Sequence, residues 1–101
     1  MYAIKTLSSS IEKAYVRLLK SLPQENADKL RGILKNNPKG SDSSHWKIKK
    51  IKGLWQLDVT QGKMADRLAY DVYDKPNKVV LLHFAGNHKD AEIFWRNLKN
   101  K

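Results

Sequence analysis

The apolar residues of this chain follow two different spacings, and the change from one to the other limits the folds open to it. Ile11, Ala14, Tyr15, Leu18, Leu19 and Leu22 recur at i, i+3, i+4, i+7, i+8 and i+11, which lines one face of an α-helix. After Pro23, Ala27, Leu30, Ile33 and Leu34 continue that spacing until Asn36-Asn37-Pro38 stops it, so a helical hairpin is predicted. Further on, Leu54 to Val59, Arg67 to Tyr73 and Lys78 to Phe84 read as strands, separated by the turn-rich Thr60-Gln61-Gly62-Lys63 and Asp74-Lys75-Pro76-Asn77. Connections this short favour antiparallel neighbours. The expected class is α+β, a small antiparallel sheet with the helical hairpin packed on one face.

Smaller signals fill in the outline. Tyr2 to Leu7 suits a first strand, and Ser9-x-x-Glu12 has the form of a capping box ahead of the first helix. Gly32 inside the second helix costs about 1 kcal/mol against alanine, a cost that close packing of a small residue would explain. In the middle strand run Leu68, Tyr70 and Val72 share one face and Arg67, Ala69, Asp71 and Tyr73 the other, so one face can pack on helices while the other binds. Val79 to Phe84 is apolar on both faces, which suits a central strand. A loop, Ala85-Gly86-Asn87-His88-Lys89, is expected to follow, and then a short C-terminal helix carrying Ala91, Phe94, Trp95 and Leu98 at helical spacing.

With 101 residues the chain supports one core, so residues 1–101 read as a single domain. Twenty Lys and Arg against ten Asp and Glu give a formal charge of +10, a field that draws in polyanions, nucleic acid first among them. No apolar run approaches the roughly 20 residues that span a bilayer, so no membrane partner is expected. The absence of Cys excludes a thiolate nucleophile and every Cys-ligated zinc site. With no signal peptide at Met1 to Ser10, a reducing cytoplasm is the expected compartment. The basic residues peak in His45-Trp46-Lys47-Ile48-Lys49-Lys50-Ile51-Lys52, where four Lys alternate with apolar side chains. That mixture suits either a solvated face whose Lys stems cover Trp46 or a groove for a phosphate backbone.

Three stretches taken together resemble the core pattern of the RelE/ParE toxin superfamily: Lys52-Gly53-Leu54-Trp55, then Arg67-Leu68-Ala69-Tyr70-Asp71-Val72, and after a turn Lys78-Val79-Val80-Leu81-Leu82. The resemblance implies a toxin whose partner is an acidic antitoxin and whose target is mRNA, cut on the ribosome so that translation stops. It also implies a reaction without metal or other cofactor. In it the 2'-hydroxyl of a nucleotide attacks its own 3'-phosphate, leaving a 2',3'-cyclic phosphate and a free 5'-hydroxyl. By the same resemblance Arg67 stands where the family's recurrent functional Arg lies, and its guanidinium fork fits two phosphoryl oxygens. A salt bridge to Asp66, Asp71 or another acid is its structural alternative. His88 falls where ribonucleolytic relatives carry a His or Arg and is the candidate general acid, since an imidazole exchanges protons near neutral pH. Its alternative is an exposed imidazole or a helix cap beside Asp90. His45 lies about where some relatives place a catalytic carboxylate and is the candidate base. Lys47, Lys49, Lys50, Lys52 and Lys89, with Trp46 and Phe94 as stacking rings, make up the expected RNA-binding set. His83, inside an apolar strand, reads as a core histidine.

The pattern has departures. Gln56 and Asp58 replace two strand lysines of the RelE type, and Phe94 stands where relatives often have a Tyr on the last helix. Two other functions therefore stay open: a ParE-type inhibitor of DNA gyrase, with the same fold and no catalysis, and a non-catalytic basic RNA-binding module with Trp46 and Trp55 as stacking platforms.

Overall fold

A computed structural model of the chain describes residues 1–40, 46–61 and 64–98. The candidate base His45, the polar loop residues 41–44 and the turn residues Gly62 and Lys63 lie outside the described residues. The chain runs β1 (Ala3–Thr6), α1 (Ser9–Ser21), α2 (Gln24–Asn36), β2 (Ile48–Ile51), β3 (Leu54–Gln61), β4 (Met64–Tyr73), β5 (Val79–Asn87) and α3 (His88–Asn97).

The two N-terminal helices form where helical spacing places them. The cap of α1 is one residue earlier than the capping box implies. Ser8, in extended backbone, accepts a hydrogen bond from the Ile11 amide at 3.3 Å, so Ser9 is already helical. Tyr15, Leu18 and Leu22 from the first helix and Ala27, Leu30, Ile33 and Leu34 from the second are buried together. Gly32 does not mark a close contact, because a Cβ built there would meet nothing within 4 Å.

The sheet has five strands in the order β1-β5-β4-β3-β2. The antiparallel expectation holds for every neighbouring pair but one: β1 runs parallel to β5, with Ala3 opposite Val79 and Thr6 opposite Leu82, so the sheet is mixed. Tight turns force antiparallel pairing between consecutive strands, whereas β1 reaches β5 through most of the chain and is free of that constraint. β5 lies between β1 and β4, an interior place that accounts for its apolar residues on both faces. The lysine-rich stretch forms the edge strand β2. Its connection to β3 is the pair Lys52-Gly53, with φ of 51° and 86°, the doubly left-handed turn that closes two-residue hairpins.

Leu57 and Val59, Leu68 and Tyr70, and Val80, Leu82 and Ala85 turn to the helical hairpin and complete the main core. Tyr70 is fully buried there, its hydroxyl donating to the Pro38 carbonyl at 2.7 Å. Leu82 and Ala85 share a face three residues apart because the register slips. Ala69 opposes Phe84 and Tyr70 opposes Leu82, leaving the half-buried His83 as the extra residue of a bulge. By strand alternation Leu54, Gln56, Ala69 and Phe84 point the other way. There α3 covers them with Ala91, Phe94 and Trp95, forming a second, smaller core. No helix among the described residues is long and apolar enough to cross a membrane.

Candidate nucleic-acid interface

Arg67 lies on β4 between Asp58 of β3 and Gly86 of β5, on the face turned away from the helical hairpin. Its side chain keeps 30% of its surface and its Nε stands 3.4 Å from Asp58 Oδ1. The ion pair weighed from sequence is therefore present, with Asp58 as the acid. Asp66 is one residue away and alternates to the opposite face, and Asp71 sits farther along the strand, its Oδ1 accepting from the Val72 amide at 2.9 Å. The same Asp58 oxygen accepts from Gln56 Nε2 at 3.0 Å, and Gln56 Oε1 accepts from the Trp95 indole N–H at 2.5 Å. Gln56 is 2% exposed, the one buried polar side chain among the described residues, and both ends of its amide are engaged. Sequence inspection registers Gln56 and Asp58 only as missing cations, because their partners come from a strand and a helix far along the chain.

His88 does not sit in a loop. β5 continues through Asn87, which caps α3 by accepting from the Asp90 amide at 2.8 Å, and His88 is the first helical residue, exposed beside the exposed Lys89. The expected loop vanishes because strand pairing persists to the end: Gly86 opposes Arg67 and Asn87 opposes Asp66. Arg67 and His88 thus belong to one end of the sheet, His88 following Arg67's register partner by two residues. Gly86 is required there, since a Cβ would meet the Phe84 ring at 2.9 Å. On the hairpin side of this end a cleft of about 490 Å³ lies between Arg17 and Ser21 of α1 and Asp66, Asn87 and Asp90. Burial pushes the Asp66 carboxyl above its ordinary range.

The basic segment is split by its strand. Lys49 opposes Gln56, and the Lys47 carbonyl accepts from the Asp58 amide at 2.9 Å, so both lysines belong to the Arg67 face. Lys50 opposes Trp55 on the reverse face, its ammonium 5.5 Å from the ring centre. Lys52, at the turn, donates to the Trp95 carbonyl at 2.7 Å and the Leu98 carbonyl at 3.3 Å, binding the C-terminal end of α3. Trp46 is not a stacking platform. It is 5% exposed within the main core, its indole donating to the Thr60 carbonyl at 3.1 Å and Lys29 lying over its ring. Phe94 is half-buried, stacked on Phe84 at 5.2 Å and roughly perpendicular to the Trp95 ring, so one ring face is already occupied by Phe84.

Among the described residues no group of three or more His, Asp or Glu is placed to hold a metal ion. Fold and site together define a class, a small basic α+β domain whose mixed sheet carries a cationic face beside its C-terminal helix. Compared with protein-family models, curated proteins and solved structures, the chain has no significant match.

Proposed function

We propose that the chain is a toxin of the RelE/ParE kind that cuts mRNA without a metal ion and is held in check by an acidic antitoxin. The observation that carries this reading is the convergence of Arg67 and His88 on one end of a sheet face that also bears Lys47 and Lys49. A guanidinium with free donors stabilises the charge that gathers on phosphoryl oxygens during attack by the 2'-hydroxyl. An exposed imidazole can give the departing 5'-oxygen its proton, and His45 is retained as the base on the strength of the resemblance alone. The expected site of action is the cytoplasm, on translating ribosomes.

Expression without the antitoxin is expected to arrest growth and leave transcripts ending in 5'-hydroxyl and cyclic phosphate, in excess chelator as well as without it. Primer extension that finds intact transcripts during arrest would overturn the ribonuclease reading. One observation favours the gyrase-inhibitor alternative: the two positions that carry cations in RelE-type relatives here hold Gln56 and Asp58, and Asp58 pairs with Arg67. Arrest with intact transcripts and inhibited DNA supercoiling would select it.

A further inference from the structure

Trp95, Gln56 and Asp58 form a hydrogen-bonded chain of side chains that ends on the Arg67 ion pair, and chemistry fixes its polarity at both ends. An indole N–H only donates, and a guanidinium only donates. Gln56 therefore meets Trp95 through Oε1 and turns Nε2 toward Asp58, whose Oδ1 accepts from it and forms the ion pair with Arg67 Nε. Donor groups thus converge from both sides on one carboxylate oxygen. The amide has no second orientation, because a flipped Gln56 would present N–H to N–H at the indole and oxygen to oxygen at the carboxylate.

We infer that Gln56 and Asp58 are positioning residues that lock the Arg67 guanidinium and the C-terminal helix into one arrangement. Asp58 takes Nε and so leaves the two Nη groups of Arg67 to grip a phosphate, while Trp95 ties α3, and with it His88, to the same amide. The apparent loss of two phosphate-facing cations is thereby an exchange of charge for orientation. The inference rests on the functional reading of Arg67 given above, and its test separates the two.

The decisive variants invert the chain. Gln56→Glu keeps an acceptor for Trp95 but sets a carboxylate against Asp58, and it should lower kcat about 100-fold with little change in KM, the cost of misplacing a catalytic group by about 1 Å. Adding Asp58→Asn should restore kcat to within a few fold. Turned about its Cβ–Cγ bond, the introduced amide can donate Nδ2 to the new carboxylate and offer Oδ1 to Arg67, which share one oxygen in the native protein, at the same total charge as the native pair. In parallel the Arg67 Nε–H and Trp95 Nε1–H NMR resonances of the free protein should shift together in Gln56→Glu and return in the double variant. A native protein that cuts RNA while Gln56→Glu cuts equally well, or a double variant no better than the single, would overturn the inference. If the native protein does not cut RNA, the ribonuclease reading fails, and the resonances alone then decide: two that move independently overturn the positioning chain. Should Gln56→Glu fail to fold, the double variant carries the same comparison against the native protein.

Discussion

At the scale of single residues, Arg67 serves the exposed face and the main core does without it. Arg67→Ala removes one partly exposed ion pair, a contribution of about 1 kcal/mol or less, so the variant should melt close to the native protein. Losing one charge-stabilising donor should nevertheless slow RNA cleavage by about 10² to 10³. A thermal melt and a cleavage time course on the same sample check both halves, and a variant that folds and cuts normally would place the active site elsewhere. The placement of Arg67 was legible because strand alternation alone puts it on the face opposite Leu68 and Tyr70. The role of Trp46 was not. An aromatic among lysines looks the same in sequence whether its ring is a platform or a core residue, and only the distant Thr60 carbonyl and the helical hairpin decide it.

Among the elements, those whose signal is local read well. Both helices of the hairpin and β3 to β5 lie where spacing puts them, give or take a few end residues. Edge strand β2 was hidden because four residues, Ile-Lys-Lys-Ile, carry no clean alternation, and its turn depends on Lys52 adopting a positive φ. Its placement sharpens what the lysines should do. Lys49→Ala should weaken RNA binding and reduce the slope of log affinity against log salt by about 0.7, the share of one single-strand phosphate contact. Lys50→Ala, on the reverse face over Trp55, should leave that slope unchanged. Titrations at several salt concentrations distinguish the two, and equal effects would mean that the RNA path crosses both faces. In α2 the open space around Gly32 predicts that Gly32→Ala raises stability by about 1 kcal/mol, read from a urea midpoint that moves without a change in slope. A loss of stability instead would show that a neighbour needs that space.

For the whole molecule, a clasp at the far end from Arg67 joins three separated parts of the chain. Asp74, after β4, accepts from the Tyr2 hydroxyl at 2.5 Å and pairs with Lys39 at 2.7 Å. These bonds, Lys39's first and then Tyr2's, hold the Asp74 carboxyl below its ordinary 3.8. A depressed folded value contributes stability that is complete above the unfolded value and disappears as pH falls through the folded one. The native melting temperature should therefore exceed that of Asp74→Asn at neutral pH, with the gap closing in acid below the ordinary carboxylate range. A gap that stays constant from neutral pH into strong acid would assign the effect to shape instead of charge. The clasp could not be foreseen, since nothing local relates residues 2, 39 and 74.

The parallel pairing of β1 with β5 also sets a timetable. Ala3 must wait for Val79, made 76 residues later, which at about 5 to 20 residues per second is an interval of roughly 4 to 15 s during synthesis. Through that interval the first strand has no neighbour in the sheet, while the helical hairpin, built from adjacent segments, can already form. A partner that grips those helices can thus engage the growing chain before the face that bears Arg67 exists.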